Sequence, residues 1–218
     1  EQNIKYKTYH SGATEDLEDI IQHIISTKHY SEIFLKGFSL GGNIILKYIG
    51  ERESIPSQIK AAIAVSVPCD LNGSCIELHE YKNILYHERF KRHLVNKLKE
   101  KKKNFPNKLN DSVISGIKTL KDFDDIYTSK AHGFKNAYDY YEKNSSKQFL
   151  PTIKIPVLIL NAKNDSFLSV DCYPFESAEL SKFIYLETPP FGGHVGFHLT
   201  NETYYSEKRT ITFLNEKL

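Results

Sequence analysis

The sequence has no methionine, not even at position 1. That absence is expected of a sequence that begins inside a longer protein, or of one from which residues have been omitted. Cysteine is sparse, with Cys69, Cys75 and Cys172 the three present. An odd set without a C-x-x-C pair excludes a disulfide framework and points to a reducing, cytoplasmic compartment. No apolar run approaches the roughly 18 residues of a spanning helix, and the opening EQNIKYK is not a signal peptide. No membrane span is therefore expected in this segment. Charge imbalance is missing too. With 29 basic and 27 acidic side chains the net charge is +2, which gives no global argument for a nucleic-acid partner or an anionic membrane. No His/Cys/Asp cluster has zinc spacing, and no glycine-rich loop matches a phosphate cradle.

What is present suits a soluble globular protein. At 218 residues, 40% hydrophobic and 26% charged, the chain can bury the core of one large domain. Its organising stretch is residues 31–50, SEIFLKGFSLGGNIILKYIG. Gly37-Phe38-Ser39-Leu40-Gly41 is a G-x-S-x-G pentapeptide. Ile33, Phe34 and Leu35 before it suit a strand buried on both faces. Ile44, Ile45, Leu46, Tyr48 and Ile49 after it suit a helix of about two turns, with Gly50 as its stop. Strand, tight turn and helix are the context in which this motif holds a nucleophilic serine in strained backbone. Strand and helix nearly touch at such an elbow, so Gly37 and Gly41 are expected because a larger residue would not fit. The helix N-terminus beneath Ser39 favours a developing oxyanion, with the Leu40 backbone N–H as donor.

Elsewhere, a helix is expected from Thr14, with Thr14 at its cap and Leu17, Ile20, Ile21, Ile24 and Ile25 as its apolar stripe. Further buried strands are expected at Ile59–Pro68, Lys154–Leu160 and Phe183–Glu187, and a closing helix from Thr203 to Leu218. Cys69 and Asp70 fall at a strand's C-terminal end, where parallel sheets place ligand sites. Apolar strands alternating with helices mean an α/β fold with a mostly parallel sheet. Residues 71–150 carry helical patterns and no core strand. The basic face around Lys91, Arg92, Lys97, Lys99 and Lys101–Lys103 is read as a solvated helix face. Asp124 and Asp125 are read as caps or surface turns, because adjacent helical residues point apart.

A serine hydroxyl needs a base, and the base needs an orienting carboxylate. Asp165 follows the third strand and His194 the fourth, so both fall at the same sheet edge as Ser39. The order Ser, Asp, His is that associated with α/β-hydrolases. His198 is the rival base, farther from the strand end and beyond Gly192-Gly193. Hydrolysis of a small-molecule acyl ester is the function expected. Acyl transfer and thioester cleavage remain open on the same residues, and a non-catalytic binding module is the alternative from another class.

The strings GFSLGGN, FDDIYT, HGFKNAYDYY, NAKNDSF and GGHVGF together resemble the YheT-like branch of the α/β-hydrolase superfamily, AB hydrolase family 4. The resemblance runs from about Tyr9 to the closing helix. It implies an α/β-hydrolase fold and a carboxylic ester hydrolase whose triad is Ser39, Asp165 and His194. It implies that residues 71–150 form a helical cap, and that neither a metal nor an organic cofactor is used. It also implies about eight strands, with a second oxyanion donor on a loop upstream of Glu1. The expectation is therefore that these residues are the C-terminal two-thirds of a longer enzyme.

Overall fold

The computed structural model describes residues 3–199 and 204–217. In chain order its main elements are α1 (Thr14–Lys28), β1 (Ile33–Phe38), α2 (Leu40–Glu51), β2 (Ile59–Val65), α3 (Leu71–His79) and α4 (Ile84–Asn104). Short helices follow, α5 (Asp111–Ser115), α6 (Leu120–Phe123) and α7 (Ser129–His132), with a π-helical turn at Asp124–Thr128. Then come α8 (Ala137–Asn144), β3 (Val157–Leu160), α9 (Phe175–Leu180), β4 (Ile184–Glu187) and α10 (Tyr205–Lys217). The expected closing helix overlaps α10, but Thr203 and Leu218 lie outside the described residues.

The four strands form one parallel sheet in the order β1-β2-β3-β4. One face buries Leu35, Ala62, Ala64, Val157 and Ile159 against Ile21 of α1 and Ile45, Leu46 and Ile49 of α2. The other buries Ala61, Ile63, Val65, Leu158 and Leu160 against Phe213 of α10 and Phe197. Covered on both sides, β2 and β3 read as continuous apolar runs rather than alternating ones. The observed architecture is thus the expected α/β one, a parallel sheet between helical layers.

β1 departs from its expectation. Phe34 and Phe38 are exposed, and only Leu35 and Gly37 of the strand are buried. Its inner face packs on the core below, and among the described residues it pairs with β2 alone. α2 runs one residue past Gly50, to Glu51, and position 50 needs a glycine for another reason, since a Cβ there would meet the Phe149 carbonyl at 2.3 Å. Thr14 is not a cap either. The cap position is Ala13, without a side-chain bond, and the Thr14 hydroxyl donates to Glu51 of α2 at 2.5 Å. Ile20 is exposed, which leaves Leu17, Ile21 and Ile25 packed on the core and Ile24 half-buried.

Residues 71–150 hold helices and no strand. They bury a cluster of their own, including Leu98, Leu109, Ile114, Phe123 and Tyr127. Lys101 on α4 is not solvated as expected. It is buried, and its ammonium donates to the Asn3 carbonyl at 2.9 Å and to that of Lys5. Asp124 is not a surface turn. The π-helical turn carries it inward, where it accepts the Tyr141 hydroxyl at 2.7 Å. Burial pushes its carboxyl up to about 6, outweighing the hydrogen bonds from Thr128 and Tyr141 that favour the charged form.

Two expectations follow. A carboxyl raised in the folded state binds an extra proton there, so its contribution is complete below the unfolded value of 3.8 and is lost as pH rises through about 6. Asp124→Asn should therefore raise Tm by about 3 °C or more at pH 8, with the gain shrinking toward pH 4. Thermal melts across that range check it, and a gain that grew on acidification would contradict it. The elbow glycines should also differ. A Cβ on Gly37 would meet the Gly41 backbone at 2.5 Å, whereas one on Gly41 has nothing within 4 Å. The spatial demand expected of both glycines thus falls on Gly37 alone. Gly37→Ala should cost about 3 kcal/mol and Gly41→Ala less than about 1 kcal/mol in denaturant unfolding.

Candidate active site

β1 ends at Phe38 and α2 begins at Leu40, which leaves Ser39 alone to make the turn. Its backbone lies at φ 50°, ψ −124°, a region that costs a non-glycine residue about 1 to 3 kcal/mol. Two bonds fix it there. The Ser39 N–H donates to the Val65 carbonyl at 2.9 Å, and the Ser39 carbonyl accepts from the Asn43 N–H at 3.2 Å. The Leu40 N–H is the first of α2, so it has no acceptor one turn back within the helix, and it follows the serine directly in the chain.

Asp165 sits in the loop after β3, buried to 4% exposure. Both its oxygens are engaged. Oδ1 accepts from the Phe167 N–H at 3.0 Å, and Oδ2 lies 2.8 Å from His194 Nδ1. The loop itself is held by Asn161. Its side chain accepts from the Val67 N–H at 2.8 Å and donates to the carbonyls of Val67 and Cys172 at 3.2 and 2.8 Å.

His194 lies in the loop after β4, and its Nε2 is 3.0 Å from Ser39 Oγ. A carboxylate only accepts, so Nδ1 carries the hydrogen and Nε2 is left to accept the serine proton. The imidazole ring packs against Phe167 in a tilted pair, with centroids 4.5 Å apart and planes 34° from parallel. Hydroxyl, imidazole and carboxylate are therefore linked in series. That arrangement can activate the hydroxyl as a nucleophile and hold the resulting imidazolium.

The structure brings together Ser39, Asp165 and His194, with the Leu40 N–H beside them. It does not bring in His198, which is exposed, forms a backbone bridge with Tyr204 and lies outside the linkage. Asp70 caps α3 instead, with Oδ2 accepting from the Gly73 N–H at 3.1 Å and the Ser169 hydroxyl at 3.2 Å. Cys69 is buried in the core. Among the described residues no group of three or more His, Cys, Asp or Glu is placed to hold a metal ion, and no helix is long and apolar enough to cross a membrane. Sequence reasoning missed Phe167 as the ring against His194. Its signal was its place two residues past Asp165, within NAKNDSF.

Comparison with known proteins gives the family of the chain. A family model described as serine aminopeptidase, S33, matches residues 8–171. The chain belongs to that family of α/β-hydrolases. Relatives include YheT of Escherichia coli (strain K12), 30% identical over 90% of this chain and 58% of its own. The mouse phospholipase ABHD3 is 29% identical over 88% of this chain and 46% of its own. A monoacylglycerol lipase of Saccharomyces cerevisiae is 30% identical over 87% and 43%. The α/β-hydrolase thus spans about half the length of the curated relatives it matches. Among solved structures, an esterase of Pyrococcus furiosus superposes with a TM-score of 0.57 at 14% identity, covering 98% of this chain and 64% of that one. At that identity the likeness shows the fold.

Proposed function

We propose that this α/β-hydrolase cleaves carboxylic esters of short or medium acyl chains through an acyl-enzyme on Ser39. The observation that carries the reading is the unbroken linkage Ser39 Oγ to His194 Nε2 at 3.0 Å and His194 Nδ1 to Asp165 Oδ2 at 2.8 Å. His194 Nε2 takes the Ser39 proton as Oγ attacks the ester carbonyl. The tetrahedral oxyanion accepts from the Leu40 N–H. Collapse expels the alcohol, which takes the proton from the imidazolium. Water then attacks the acyl-serine with His194 again as base, releasing the acid and restoring Ser39. Asp165 holds the imidazole tautomer and stabilises the imidazolium.

Apolar surface beside the serine supports an acyl substrate, since Phe38, Leu40 and Val195 are each 42% exposed. The names of relatives, a phospholipase and a monoacylglycerol lipase, support an ester of an acyl chain. Residues 71–150 are assigned as the cap that lines the acyl pocket. Supporting this, Asn83 exchanges two hydrogen bonds with Ser166, at 2.7 and 2.6 Å. Tyr86 and Phe90 of α4 also pack on Phe167, with centroids 5.0 and 6.1 Å away. The family's description as an aminopeptidase favours a second reading, an amide substrate, in which His194 protonates a leaving amine. Parallel assays of matched ester and anilide substrates separate the two.

Ser39→Ala should lower kcat on an ester by about 10⁴- to 10⁶-fold, because such residues act as a unit. Turnover within tenfold of wild type in that variant would refute the assignment. His194→Ala should be equally damaging and His198→Ala should stay within about threefold of wild type. A reversed pattern would move the base to His198.

A further inference from the structure

We infer, resting on the ester-hydrolase reading above, that Ser66 and Asn164 are positioning residues. They clamp the backbone on either side of His194 and so keep its ring on Ser39. The loop that carries His194 is conformationally demanding. Gly193, Val195 and Phe197 all have left-handed backbone, with φ of 57°, 63° and 42°. Two of the three are not glycine, so the loop stores strain and relaxes unless it is held.

Hydrogen bonds from outside the loop hold it at the residues flanking the histidine. The Gly193 N–H donates to Asn164 Oδ1 at 2.9 Å. The Val195 N–H donates to Ser66 Oγ at 3.1 Å. Both acceptors sit next to residues that already serve the site. Asn164 precedes Asp165, so consecutive side chains hold the loop backbone and the imidazole. Ser66 follows Val65, whose carbonyl accepts the Ser39 N–H at 2.9 Å. Consecutive residues at the end of β2 therefore fix the nucleophile's backbone and the residue after the base.

Ser66 is itself an outlier. It is wholly buried and has φ 52°, although its N–H still donates to the Leu160 carbonyl of β3 at 2.9 Å. A strained serine held between two strands, with its hydroxyl on the loop of the base, fits a positioning role. The catalytic need is steep. A shift of about 1 Å in a reacting group costs on the order of 10²-fold in rate. Among the described residues, His194 lies outside every strand and helix, so no ladder of its own prevents such a shift.

The test is steady-state kinetics on an ester in the native protein, with thermal melts and with Ser39→Ala alongside. Ser66→Ala and Asn164→Ala should each lower kcat about 10- to 100-fold, with KM within about threefold. Asn164→Asp keeps an acceptor oxygen and should recover most of the lost kcat. Asn164 is exposed, so its two variants decide the matter even if Ser66→Ala folds poorly. Wild-type kcat in Asn164→Ala, or in a folded Ser66→Ala, would overturn the clamp. Equal losses in Asn164→Ala and Asn164→Asp would overturn it too. Full turnover in Ser39→Ala would instead overturn the ester-hydrolase reading itself.

Discussion

A serine at φ 50° and ψ −124° sits in a conformation that its own residue type disfavours. It persists because its surroundings leave no alternative. β1 and α2 are separated by this one residue, and Gly37 is pressed so closely on the Gly41 backbone that no Cβ fits. β2 supplies the carbonyl that fixes the serine N–H. The position of Ser39 is thereby referred to the most deeply buried strands of the sheet. Everything else in the site is measured from that reference. The loops after β3 and β4 deliver Asp165 and His194 to the same edge.

Buried amides connect the outer segments to this frame. Asn43, on α2 one turn after Ser39, donates to the Ser11 and Asn144 carbonyls, both at 2.8 Å, and accepts from the Ser146 N–H at 2.9 Å. Asn161 performs the same service for the Asp165 loop. Each is fully buried. Truncating either would strand several backbone groups, at about 1 to 3 kcal/mol for each one left unsatisfied. The chain thus commits wholly buried polar side chains to holding the segments that meet at the sheet's C-terminal edge. Through Asn83 and Phe167, α4 is coupled to the same acid loop.

What is legible in the sequence follows physical lines. β2 and β3 are readable because both faces are covered, which writes an uninterrupted apolar run. β1 misleads for the converse reason, since Phe34 and Phe38 are apolar yet exposed. Ser39, Asp165 and His194 can be singled out because parallel strands send their C-terminal ends to one edge, so strand position alone ranks the polar residues. Gly50 and Thr14 mislead because a contact distant in sequence overrides local preference. Phe149 occupies the space beside Gly50, and Glu51 takes the Thr14 hydroxyl. Lys101 and Asp124 read as surface groups because their partners lie far along the chain or on an inward-turned π-helical segment. Ser66 carries no local pattern, and Asn164 stands out only as one letter of NAKNDSF. Their importance exists only once the loop of His194 has been folded over them.

The central claim is that Ser39 carries an acyl group during turnover. Acid quenching of the protein during reaction with an activated acyl ester, followed by peptide mass spectrometry, tests it most directly. The account predicts a mass increase equal to the acyl group on the peptide that contains Ser39, disappearing as substrate is exhausted. An adduct on another residue, or steady turnover with no adduct at any time of quench in a reaction limited by deacylation, would contradict it.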